Sequence, residues 1–109
     1  MHYEGTARLD RRTKNLVKYL KAGDIAIIDH ADLDRVSAEG LVDARVALVI
    51  NASQSISGRY PNLGPLILCS AGVQIIDNVG KDIFHKIKDG DRLSIRNGQV
   101  FHRDQLIGQ

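Results

Sequence analysis

At 109 residues and 12.0 kDa, the chain has room for one domain with at most one appended element. Hydrophobic residues make up 43% and charged residues 26%, which excludes an intrinsically disordered chain. The net charge of +2 conceals an uneven distribution: residues 1–21 hold six basic and two acidic side chains, and the rest hold nine basic and eleven acidic, so a basic arm joins a mildly acidic body.

The longest apolar runs, Ile25–Ile28 and Ala44–Ile50 with Arg45 inside it, are too short to span a bilayer. Met1-His2-Tyr3-Glu4 is not a secretory start, and the single Cys69 excludes an intrachain disulfide. These features predict a cytoplasmic chain in a reducing compartment.

In chain order, Thr6 caps a first predicted helix. Leu9, Thr13, Leu16 and Leu20 form its apolar stripe, with basic residues around it, and Ala22-Gly23-Asp24 ends it. Residues 1–22 therefore read as a basic amphipathic arm. Ile25–Ile28 reads as a strand covered on both faces. Asp32 is the expected N-cap of the next helix, with Asp34 in its first turn. Val46–Ile50 is a second buried strand, and residues 51–64 are a polar loop. Pro65 suits the first turn of a helix that Gly72 ends. Val73–Ile76 is a third strand, followed by a short helix over 81–87. Leu93–Arg96 and Gln99–His102 flank Asn97-Gly98, a strong hairpin signal. This order predicts an α/β domain with a mixed sheet over residues 23–103. Residues 104–109 read as a linker or truncated end leading to further domains.

The loop after the second strand carries the most chemistry. Ser53, Ser55 and Ser57 supply hydroxyl donors. Gly58 allows close backbone approach, Arg59 adds a forked cation, and Tyr60 and Asn62 add polar groups before a helix start. The position suits a phosphate or other anion, although the Walker A ending is missing. Asp29, His30 and Asp32, with Asp34, form an acidic cluster after the first strand. Helix capping accounts for Asp32 and Asp34 without a metal, and His30 is expected to hydrogen-bond Asp29 or Asp32. No metal or cofactor is expected. Cys69 reads as a buried, inert thiol. Arg8, Arg11, Arg12, Lys14 and Lys18 are the cations a partner would meet. A protein surface or a second copy of the chain, docked through the first helix, is favoured over nucleic acid.

Three strings are specific: Gly5-Thr-Ala-Arg-Leu-Asp-Arg-Arg-Thr-Lys-Asn-Leu-Val, Gly23-Asp-Ile-Ala-Ile-Ile-Asp-His-Ala-Asp-Leu-Asp-Arg-Val, and Ser55-Ile-Ser-Gly-Arg-Tyr-Pro-Asn-Leu-Gly-Pro. Together they resemble the N-terminal region of the SteA family of bacterial cytokinetic-ring proteins. In that family a domain resembling thiamin pyrophosphokinase follows, and then a C-terminal membrane segment. The resemblance implies a bacterial role in cell division or envelope maintenance, with the whole protein anchored at the inner face of the membrane. It supplies no catalytic residues for this region.

A second, architectural resemblance is to the swivelling phosphohistidine domain of phosphoenolpyruvate-utilising enzymes. It rests on Gly23-Asp24 and Ala71-Gly72-Val73 before strands and on Lys88-Asp-Gly-Asp-Arg-Leu-Ser-Ile-Arg-Asn-Gly. It implies a swivelling β/β/α-type fold. The reactive imidazole of that family falls near Leu63 here, and no His lies between His30 and His85. The expected function is a non-catalytic domain that docks partners or positions a thiamin pyrophosphokinase-like nucleotide-binding domain. The alternative is a phosphate- or nucleotide-binding part of such an enzyme, taking a phosphate-bearing small molecule.

Overall fold

Alternation along two short apolar strands divides the interior into two layers. The computed structural model describes residues 2–58 and 62–109. Strand β2 (Ile25–Ile28) and strand β3 (Leu48–Asn51) are buried at every position. Side chains of a strand point alternately to opposite faces. Ile25, Ile27, Leu48 and Ile50 therefore enter one cluster, and Ala26, Ile28 and Val49 enter the other.

Both strands belong to a seven-stranded mixed sheet of order β4-β3-β2-β1-β5-β6-β7. The remaining strands are β1 (His2–Leu9), β4 (Gln74–Ile76), β5 (Arg92–Arg96), β6 (Gln99–His102) and β7 (Gln105–Gly108). β1 to β4 run parallel, and β5 to β7 form an antiparallel meander joined to β1. β1 is the junction: His2–Thr6 pair with β5, and Ala7–Leu9 pair with β2. The α/β class and the mixed sheet agree with expectation.

Helices α2 (Arg35–Asp43) and α3 (Gly64–Ser70) cover one face through Ala38, Leu41 and Leu68. The other face curls on itself. Ile76 of β4 and Ile107 of β7, from opposite sheet edges, share one cluster with Ile83 and Ile87. Helix α4 (Ile83–Lys86) closes the gap, and Lys86 Nζ donates to the Ile107 carbonyl at 3.3 Å. No helix among the described residues is long and apolar enough to cross a membrane.

The helical arm expected over residues 1–22 is corrected. Residues 2–9 are a strand, and helix α1 spans only Thr13–Leu16. Tyr3, Gly5, Ala7 and Leu9 alternate toward the interior, but Gly5 and Ala7 are too small to register as an apolar period-two pattern. Leu16, Val17 and Leu20 do face inward, onto the α2 side, so this chain itself covers the stripe expected to seek a second copy. Residues 104–109, expected as a linker, carry β7 paired to β6. The connecting turn, Arg103-Asp104, has φ of 52° and 64° and lacks the glycine that marks such turns. Asn97-Gly98 does form its hairpin turn, with φ of 51° and 80°. α2 begins two residues later than expected, with Asp34 as N-cap accepting from the Ser37 amide at 2.7 Å. Cys69 is exposed rather than buried.

α3 can approach α2 only because Gly64 has no side chain. A Cβ there would lie 2.2 Å from the Leu33 carbonyl oxygen, a backbone atom that cannot rotate away. Gly64→Ala is expected to lower stability by about 1–3 kcal/mol or more, as overpacking does. Urea denaturation would read the loss, and an unchanged midpoint would contradict this contact.

Candidate functional site

At the carboxyl end of each parallel strand an aliphatic residue is followed by Asp or Asn: Leu9-Asp10, Ile28-Asp29, Ile50-Asn51 (Asn51 being the last residue of β3) and Ile76-Asp77. Parallel pairing brings these four polar residues to one end of the sheet, where open α/β sheets bind ligands. Asn51 is fully buried and organises the crest. Its Oδ1 accepts from the His30 and Ser53 amides, both at 3.0 Å. Its Nδ2 donates to the His30 carbonyl at 2.9 Å and to Ser55 Oγ at 2.8 Å.

The loop after β3 is stitched to this crest. Ser53 Oγ donates to Asp29 Oδ1. Ser55 Oγ donates to Asp77 Oδ1 at 2.6 Å, and its amide meets both Asp77 oxygens at 3.1 Å. Ser57 donates to Asp32 from its amide at 2.7 Å and its hydroxyl at 2.9 Å. Asn62 Nδ2 donates to the Ser55 carbonyl, and its Oδ1 accepts from the Gly64 amide at 3.0 Å. Gly58 takes φ +85°. Arg59 and Tyr60 lie outside the described residues. Ser53, Ser55 and Ser57 thus each face a carboxylate. An anion there would have to displace those bonds.

The cations gather on the neighbouring side. A cleft of about 780 Å³ lies between α1 and α2, lined by Arg11, Arg12, Lys14, His30, Asp34 and Val36 among others. Thr13, nearly fully buried, places Oγ1 3.0 Å from His30 Nδ1. The other ring nitrogen, Nε2, is 3.7 Å from Asp34 Oδ2. His30 thus meets Thr13 and Asp34 through its ring, not Asp29 or Asp32 as expected. Arg11 stacks on Phe84, 4.5 Å from the ring centre, and pairs with Asp29 at 3.5 Å. Lys81 also reaches Asp29, at 3.7 Å. Arg12 and Lys14 are exposed, and neither makes an ion pair or side-chain hydrogen bond among the described residues.

Burial pushes the Asp34 carboxyl up, but the Ser37 amide and hydroxyl and the nearby His30 outweigh this and hold it below the ordinary 3.8. Arg8 is drawn away from the cleft. It lies between Asp24 at 3.6 Å and Asp89 at 2.9 Å, bracing β1 against the turn before β5. Lys18 is exposed and lines no part of the cleft. Among the described residues, no group of three or more His, Cys, Asp or Glu could hold a metal ion.

The crest residues Asp77 and Asn51 and the cleft residue Thr13 were not singled out as site residues from sequence. The repeated aliphatic-Asp/Asn strand ending was the signal that could have found the first two. Compared with family models and with curated proteins, the chain gives no match.

Ser55→Ala would leave one Asn51 Nδ2 hydrogen without its partner at a buried position, so a loss of about 1–3 kcal/mol is expected. Ser57→Ala, at an exposed position, should cost less, and equal urea midpoints for the two variants would contradict the crest's structural role. Asp34 adds a pH dependence. Its folded-state value is depressed, so its stabilisation is complete above 3.8 and is lost as pH falls through the lowered value. In acid titrations followed by circular dichroism, the stability gap between wild type and Asp34→Asn should therefore narrow below that pH.

Proposed function

We propose that the chain is a non-catalytic domain of a SteA-like bacterial cell-division or envelope protein. In this reading it docks a division partner or positions a thiamin pyrophosphokinase-like nucleotide-binding domain. The scaffold is read as the swivelling type of the phosphohistidine carriers. In support stand the central strand–helix–strand–helix–strand order, the mixed sheet and the terminal hairpin.

One observation carries the non-catalytic reading. The residue before α3, where a phosphocarrier holds its imidazole, is Leu63, an aliphatic side chain 52% exposed. Leu66, one helical turn on, is 62% exposed, so the two give α3 an apolar contact face. The cellular role is read from the resemblance of the sequence strings to the SteA family, and the cytoplasmic placement at the inner membrane face follows from the same reading.

Incubation with labelled phosphoenolpyruvate or ATP should leave the purified chain free of acid-labile phosphoryl groups, and label on any side chain would overturn the non-catalytic reading. Docking predicts that the chain co-purifies with a division-ring protein. Leu63→Asp combined with Leu66→Asp should abolish this capture without shifting the melting temperature. Capture that survives the double substitution would remove α3 as the docking face.

A further inference from the structure

We propose that the cleft between α1 and α2 binds a phosphate monoester carrying a small organic body. The site differs from the serine loop and goes beyond the docking role, which it neither needs nor tests. Its volume of about 780 Å³ falls within the size of clefts that take small molecules. It opens beyond the carboxyl ends of β1 and β2, the location at which open α/β sheets present ligands.

Charge decides the ligand class. Three cations, Arg11, Arg12 and Lys14, face two carboxylates, Asp29 and Asp34. Both carboxylates are already engaged, Asp29 by Ser53, Arg11 and Lys81, and Asp34 by Ser37 and His30. Arg11 is fixed on Phe84. Arg12 and Lys14 form no ion pair among the described residues; the nearby Asp10 carboxylate accepts from the Arg12 amide at 2.8 Å, not from its guanidinium. A forked guanidinium and an ammonium lining one cleft match a dianionic phosphate in charge. A monocarboxylate would leave one cation unmatched.

The organic body follows from the opposite wall. On the α2 side, Val36 and Gly40 line it, with Ala31 before the helix, and Val36 is 79% exposed. An aliphatic side chain held open beside two free cations gains from being covered by apolar ligand surface. Inorganic phosphate would meet the cations and leave that wall wet.

Calorimetry on the chain with phenyl phosphate, inorganic phosphate and phenol tests the proposal. Phenyl phosphate should give one saturable heat, with affinity at least about tenfold above inorganic phosphate and falling as salt is added. Phenol should not bind. Arg12→Ala with Lys14→Ala should lower the phenyl phosphate affinity at least about tenfold, whereas Lys18→Ala, outside the cleft, should leave it unchanged. Val36→Glu puts a negative charge on the apolar wall at an exposed position, and it should weaken binding even if the double variant folds poorly. The proposal is overturned by absence of saturable binding, by equal affinities for phenyl phosphate and inorganic phosphate, or by affinity that survives both the double variant and Val36→Glu. None of these results depends on whether the α3 face captures a division protein.

Discussion

Asn51 makes all four hydrogen bonds its carboxamide allows while wholly shielded from water. Two of them clamp the His30 backbone at the end of β2, one turns the chain at Ser53, and one fixes Ser55. Ser55 then passes the connection to Asp77 beyond β4. A single side chain thereby sets the spacing of three strand ends and the path of the loop above them. An unpaired amide at that depth would carry a large desolvation cost, so the whole set is held together or lost together. The position of His30, and with it the floor of the cleft, depends on this clamp.

The same network settles the electrostatics of the sheet's carboxyl end. Hydroxyls that would otherwise solvate an incoming anion are turned toward Asp29, Asp32 and Asp77. Among the described residues, the serines of this loop are braced against carboxylates. Positive charge is displaced to the residues following β1, where Arg11 is immobilised by Phe84 and Asp29 while Arg12 and Lys14 stay exposed.

Much of this was legible in the sequence where a pattern had only one physical reading. Ile25–Ile28 is apolar at every position, so it had to be covered on both faces, and it is. Asn97-Gly98 accepts two positive φ values cheaply, and its hairpin forms where expected. Small residues and missing markers hid the rest. Gly5 and Ala7 concealed the alternation of β1, while the helical spacing of Leu9, Thr13 and Leu16 was conspicuous and belonged to a helix of four residues. β7 follows a turn without glycine and contributes only Ile107 to the interior. At the site, the serines were visible but not their partners, because Asp29, Asp32 and Asp77 approach across gaps of more than twenty residues. Residue type alone could not tell a hydroxyl waiting for a ligand from one already bound.

The start of α3 is held without help from the side chain that precedes it. Asn62 closes the turn by bonding both the Ser55 carbonyl and the Gly64 amide, and Gly64 lies directly on the Leu33 backbone. These contacts fix the helix start through backbone atoms and one carboxamide, and none involves the side chain at position 63. Leu63 can therefore vary without disturbing the approach of α3 to α2. A position that is geometrically fixed yet free of packing duties can present a nucleophile in one protein and an apolar contact in another. In this chain the side chain it presents is aliphatic and half exposed.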